Sequence, residues 1–258
     1  MSRFAGRRVL VTGASRGIGA ALAVELARQG ADVAISARTL EAHPTLPGSL
    51  TETAAAIEGA GRRAAVVLSD LTDAEDRLRV VPEAESGLGG PLDILVNNAA
   101  AAIYQPLGDF PLKRRRLIFE ANVHAPLDLA QAVVPGMVER GEGWIVNLSS
   151  GSAVSRTGPP FAASALGSTL GIYGASKAAL NRLTNALAEE LWGTGVRVNT
   201  VEPRSAVHSE GADALLGDAL DADQYESMAD MVAGVLVCCD CGPEVTGQRL
   251  ISLDLIGK

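Results

Sequence analysis

Seven short runs dominated by Val, Ile and Leu recur along the chain, each separated from the next by enough residues for a helix. They are RVLVTG from Arg8, DVAISA from Asp32, AAVVLSD from Ala64, LDILVNN from Leu92, GWIVNLSS from Gly143, VRVNTVEP from Val196 and QRLISLDL from Gln248. A strand with one wet face alternates apolar and polar residues, whereas near-continuous apolar runs suit strands covered on both faces. Helical periodicity between them is expected over Gly17 to Gln29, Leu50 to Gly59, Ala74 to Glu85, Leu112 to Glu139, Tyr173 to Trp192 and Asp223 to Val237. Alternation of this kind predicts an α/β fold, a doubly wound seven-stranded parallel sheet flanked by helices on both faces.

At 258 residues the chain is of ordinary length for one such unit, and no repeat or low-complexity linker divides it, so residues 1–258 are read as a single domain. A net charge of −8 argues against a nucleic-acid surface, which needs a basic face to neutralise phosphates. The one basic run, Lys113 to Arg116, opens an expected helix and reads as a solvated face. The N-terminal residues pass into the first strand with no signal-like apolar region, and no stretch approaches the ~18 apolar residues of a membrane span. A cytoplasmic location is the resulting expectation. Cys238, Cys239 and Cys241 are odd in number and lack a further ligand pair, so buried thiols are expected rather than a disulfide or zinc site. His43, His124 and His208 form neither metal spacing nor a triad.

Directly after the first strand stands TGASRGIG, with Gly13, Gly17 and Gly19 opening the first helix. Glycine permits a sharp turn and close backbone approach, and a helix N-terminus presents free N–H groups to an anion, so a pyrophosphate fits there. The absence of Gly-Lys-Ser/Thr disfavours a mononucleotide loop, and the position at the first strand-to-helix turn points to a dinucleotide and a Rossmann arrangement. An acidic residue at the end of the second strand would bond a ribose 2′-hydroxyl, but the chain reads Ala37 then Arg38, with Arg16 in the glycine loop. Two arginines favour a 2′-phosphate, hence NADP(H) over NAD(H), with Glu41 as a counter-signal and two solvated arginines as the plain alternative.

Four motifs in order, TGASRGIG, NNAA, IVNLSS and YGASK, resemble the short-chain dehydrogenase/reductase family from about Arg8 to Leu253. Tyr173 and Lys177 lie four apart on one helix face. A phenol titrates near 10, and a cation about 4 Å away at an effective dielectric of about 20 is worth roughly 4 kcal/mol, enough to bring it near neutrality. Tyr173 is accordingly the expected proton donor in reduction and acceptor in oxidation. Ser150, at the end of the fifth strand, is the hydroxyl expected to polarise the substrate oxygen, with Ser149 as the alternative.

The remaining roles are what the resemblance implies. Lys177 would bond the nicotinamide ribose and Asn122 would hold a water in a proton relay. Ser15 and Ile18 would join the cofactor loop, Asp70 and Leu71 would meet adenine, and Asn98 would support both the central strand and the cofactor. The chain departs from the pattern at Ala100, usually glycine. It departs again after Pro203, where Arg204 replaces glycine and the threonine that bonds the carboxamide is missing, leaving Ser205 or Ser209 as substitutes. The resemblance also implies a homo-oligomer, dimer or tetramer.

The resulting expectation is an NADP(H)-dependent oxidoreductase acting on a small-molecule ketone, aldehyde or alcohol, with no metal, nucleic-acid or membrane partner. A 3-oxoacyl-carrier-protein-type ketoreductase and a catalytically silent NADP(H)-binding regulator are the alternatives. One feature is awkward: Ser150 and Tyr173 are 23 positions apart, more than the family pattern holds. Pro and Gly make the intervening residues a loop, expected to pass over the substrate pocket with Phe161, Leu166, Pro159 and Pro160 as an apolar wall.

Overall fold

The fold was obtained as a computed structural model, in which residues 2–41, 43, 45–164, 166–210 and 225–258 are described. Strands β1 (Arg8–Thr12), β2 (Asp32–Ala37), β3 (Ala64–Leu68), β4 (Ile94–Asn97), β5 (Gly143–Leu148), β6 (Val196–Glu202) and β9 (Arg249–Ile251) form one parallel sheet in the order β3-β2-β1-β4-β5-β6-β9. Strands β7 (Ala206–Val207) and β8 (Tyr225–Glu226) form a separate parallel pair that sequence patterning missed, being too short to show a period. The order reverses between β1 and β4, and a ligand crevice opens at the carboxyl ends of strands at such a switch.

Both faces of the inner strands are covered, as the unbroken apolar runs require, but the edge strand β3 leaves Val66 and Leu68 exposed on one face. On one face Val9, Val11, Val33, Ile35, Ile94 and Val96 pack with Leu22 and Leu26 of α1 (Gly17–Arg28), Ile57 of α2 (Leu50–Gly59) and Met231 and Val235 of α7 (Met228–Cys238). On the other, Leu10, Leu95, Ile145 and Val198 meet Val80 and Ala84 of α3 (Ala74–Leu88), Leu129 and Val133 of α5 (Ala125–Arg140) and Ala188 of α6 (Gly171–Glu190). Burying each such side chain contributes about 1.5–3 kcal/mol, so the two layers rather than any one contact hold the frame.

Three elements differ from expectation. The helix expected over Leu112 to Glu139 is α4 (Leu112–Phe119), a π-helical turn over Glu120–His124, and then α5. Pro126 has no N–H to return to Asn122, and the Ala125 N–H bonds Glu120 five residues back, so one extra residue enters the turn. The last long helix begins at Met228, where Ser227 accepts a bond from the Asp230 N–H as a cap worth about 1 kcal/mol. The expected start at Asp223 lies outside the described residues. Finally, QRLISLDL holds a strand only as far as Ile251, and Ser252–Leu255 forms the short helix α8.

Cys238 and Cys239 are buried at the end of α7, and burial pushes the Cys238 thiol up to about 12, well away from reactive thiolate. Among the described residues no helix is long and apolar enough to cross a membrane, and no group of three or more His, Cys, Asp or Glu could hold a metal ion.

Candidate active site

The carboxyl ends of β1 and β4 are clipped together by Asn98. Its Nδ2 donates to the Thr12 and Gly13 carbonyl oxygens at 2.8 and 3.2 Å, while its own N–H donates to Thr12 Oγ1 at 3.1 Å. The glycine turn fits between them because Gly13 adopts φ +66°, and a β-carbon there would lie 2.8 Å from Ala99 Cα. Ser15 is buried, Ile18 faces the cavity described below, and Gly17 carries the chain into α1 at φ +58°. The backbone is therefore shaped to let a pyrophosphate approach the start of α1.

Farther along the strand ends, Arg38 is exposed just beyond β2 and forms no ion pair among the described residues. Glu41, the possible competing acid, instead accepts a bond from Thr51 Oγ1 at 3.2 Å. Arg16 donates to the Pro47 and Gly48 carbonyls at 2.9 and 3.1 Å, so its guanidinium braces the loop leading to α2. Asp70 accepts two bonds from Thr72 within its own turn, and its N–H donates to Asp76, while Leu71 is buried with its carbonyl held by Arg77. The buried hydroxyls of Ser36 and Ser69, at the ends of β2 and β3, have no protein partner. A glycine turn at the start of α1 and, among the described residues, an Arg38 without an ion pair and two buried hydroxyls without a partner, all at the carboxyl ends of the strands, fit a dinucleotide.

Ser150 and Tyr173 come together despite their separation. Ser152 Oγ donates to Ser150 Oγ at 3.0 Å, and Ser150 lies beside the Tyr173 phenol, near enough to oppose the rise of its pKa. Ser149 points elsewhere, donating to Asn181 Oδ1 at 2.6 Å, so of the two serines Ser150 is the one facing the phenol. Lys177 is 3% exposed, its Nζ donating to the Leu148 carbonyl at 2.7 Å and lying 5.9 Å from the Tyr173 ring centre.

Asn122 sits in the π-helical turn. Its Oδ1 accepts from the Ala101 N–H at 2.7 Å, and its Nδ2 donates to the Ala101 carbonyl and to Ser176 Oγ, each at 3.0 Å. Ser176 donates to the Tyr173 carbonyl at 2.7 Å, so the turn and α6 are tied by a continuous chain of bonds. Ser176 was not singled out from sequence, although its place three residues after Tyr173 puts it on the same helix face. Tyr104, edge-on to Tyr173 with ring centres 5.7 Å apart, carried no local signal at all.

The electrostatics correct one expectation. Burial, aided by Tyr104, pushes the Tyr173 phenol above its ordinary value, with the Ser150 hydrogen bond opposing it; the phenol is not brought toward neutrality by Lys177. Burial also lowers Lys177 to about 8. The loss of solvent around both groups outweighs the attraction that sequence spacing suggested.

These side chains line a cavity of about 890 Å³ between the residue 151–170 insertion and the segment from Pro203 to Ser209. Phe161 and Leu166 face it as expected, joined by Val154, Arg156 and Leu170, but Pro159 and Pro160 are exposed outside its wall. Ala100 lines it where glycine was expected. Arg204 takes a structural part: its N–H donates to Glu226 at 3.0 Å, and its guanidinium bonds Asp254 and the Lys258 carbonyl. Ser205 and Ser209 both face the cavity. His208 stacks on Tyr225 with ring centres 3.7 Å apart.

The family model for short chain dehydrogenases matches residues 7–214. The hydroxysteroid dehydrogenase-like protein 2 of Xenopus tropicalis is 34% identical over 98% of this chain, which spans only 58% of that relative's length. The ketoacyl reductase HetN of a Nostoc species is 34% identical over 79% of this chain and 64% of its own. A short chain dehydrogenase from Burkholderia cenocepacia, solved in complex with NADP, superposes with a TM-score of 0.80 at 34% identity, covering 96% of this chain and 97% of that one. With a switch-point glycine turn on the sheet, a Ser–Tyr–Lys–Asn group at its mouth and these likenesses, the chain belongs to the short-chain dehydrogenase/reductase family of oxidoreductases.

Proposed function

We propose that the protein is an NADP(H)-dependent oxidoreductase that interconverts a ketone or aldehyde and an alcohol. The observation that carries this reading is the meeting of Ser150 with the Tyr173 phenol at the carboxyl end of β5, beside buried Lys177 and within one cavity. Arg38 at the end of β2 and the NADP-bound Burkholderia relative support the phosphorylated cofactor.

When bound, the nicotinamide supplies or accepts the hydride at the carbonyl carbon. Ser150 donates a hydrogen bond to the substrate oxygen as negative charge develops there. A phenol held above its ordinary pKa is protonated at neutral pH, so Tyr173 can give its proton to that oxygen in reduction. Lys177, cationic below about pH 8, then faces the resulting phenolate. Their attraction is gained only as the charge forms, so it favours the transition state over the ground state. Asn122 and Ser176 fix the start of α6, which carries Tyr173 and Lys177. The roles reverse for alcohol oxidation.

The test is label transfer: reduction of a carbonyl panel with NADPH deuterated at the nicotinamide C4 must place deuterium on the carbinol carbon of the product. Cofactor binding with no labelled alcohol from any carbonyl would favour the silent regulator instead. A 3-oxoacyl substrate is a second reading, favoured by the likeness to ketoacyl reductase HetN and disfavoured by the net charge of −8, since an acidic carrier protein would be repelled. The protein is further proposed to act as a homo-oligomer in the cytoplasm.

A further inference from the structure

The charge around the cavity is one-sided. Among the described residues its walls carry Arg156, Lys177 and Arg204 and no acidic side chain, although the whole chain is acidic by eight charges. Lys177 is committed to the reacting end through Leu148 and Tyr173, and Arg204 is neutralised by Asp254. Arg156 differs from both. It lies in the insertion, is exposed, and among the described residues has no acidic partner; its guanidinium donates to the Ala162 carbonyl.

The surrounding insertion is shaped around that group. The Arg156 guanidinium packs directly against Gly167, where a β-carbon would overlap it. Val154, Phe161, Leu166 and Leu170 supply an apolar lining on the same wall. A cavity with hydrogen-bonding hydroxyls at its floor, hydrocarbon along its side and, on the insertion, a guanidinium with no acidic partner among the described residues is complementary to a molecule with the same three parts.

Resting on the oxidoreductase reading, we propose that the substrate is a carboxylate-bearing carbonyl compound, a keto acid or the matching hydroxy acid, whose carboxylate is held by Arg156. The planar guanidinium can donate two parallel bonds to a carboxylate, which fixes orientation as well as charge. The hydrocarbon between the two ends packs on Phe161 and Leu166. The insertion separating Ser150 from Tyr173 thereby selects substrates by their remote end, while the carbonyl stays with the hydroxyls.

The test compares a homologous series of straight-chain keto acids with their methyl esters in wild type, Arg156→Gln and Arg156→Lys. The acid-over-ester ratio of kcat/KM is expected to fall about tenfold or more in Arg156→Gln, mainly through KM, and to recover in part in Arg156→Lys. A wild type indifferent to the ester, or a ratio unmoved by Arg156→Gln, overturns the proposal. If other carbonyls are reduced but no keto acid is, the proposal is overturned; if no carbonyl of any kind is reduced, the oxidoreductase reading is what fails, and calorimetric titration with octanoate and methyl octanoate still decides this one. Tighter binding of octanoate in wild type that is abolished in Arg156→Gln supports the carboxylate site, and equal binding in both proteins overturns it.

Discussion

Lys177 Nζ donates a 2.7 Å hydrogen bond to the Leu148 carbonyl, which holds an ammonium group in almost complete burial where α6 meets the end of β5. The arrangement costs stability, because burial lowers the group from 10.5 to about 8. Below about pH 8 the folded and unfolded states both carry the proton and the full penalty, roughly 3 kcal/mol, applies. Between about 8 and 10.5 the folded state releases the proton first and the penalty shrinks; above 10.5 it is gone. Losing the hydrogen bond in Lys177→Met offsets about 1 kcal/mol. The variant is therefore expected to be inactive yet more stable than wild type by about 1–2 kcal/mol at pH 7, an advantage absent near pH 10.5. Urea denaturation at the two pH values checks this, and a variant less stable at pH 7 would refute the buried-cation account.

Arg38 decides cofactor choice if the 2′-phosphate lies at the end of β2. Arg38→Asp removes the cation and supplies a carboxylate that can accept a ribose hydroxyl. The NADPH-over-NADH ratio of kcat/KM is expected to fall by about a hundredfold, equivalent to roughly 3 kcal/mol. Steady-state kinetics with both cofactors provides the check, and an unchanged ratio would move the selection elsewhere.

Ser176 couples Asn122 to α6. Ser176→Ala leaves the Asn122 side chain its two bonds to Ala101 but removes the bond to the catalytic helix. The expected result is a kcat lowered by about tenfold, KM nearly unchanged, and a stability loss of about 1 kcal/mol. Equal loss in KM and kcat would assign Ser176 to substrate binding instead.

The frame was legible in the sequence because strands buried on both faces read as apolar runs, and Gly13 and Asn98 mark where the sheet reverses. Tyr173 and Lys177 could be named because they share one helix face and Ser150 because it follows a strand end, whereas Asn122, and the choice of Ser150 over Ser149, came from the family resemblance. What escaped was set by tertiary environment. The π-helical turn around Asn122 depends on Pro126 interrupting a bond that a continuous helix would make. The rise of the Tyr173 phenol depends on how much water the fold removes, which the i, i+4 spacing does not encode. Tyr104 and Arg156 come from loops whose path only the folded chain defines.

The central claim, proton transfer by Tyr173 to a carbonyl oxygen, is tested most directly by comparing wild type with Tyr173→Phe under conditions that also report cofactor binding. The account predicts that the variant binds NADPH with a Kd within about threefold of wild type by nucleotide fluorescence, while kcat for carbonyl reduction falls by about a hundredfold or more. A Tyr173→Phe enzyme that still reduces its substrate within tenfold of the wild-type rate would contradict it.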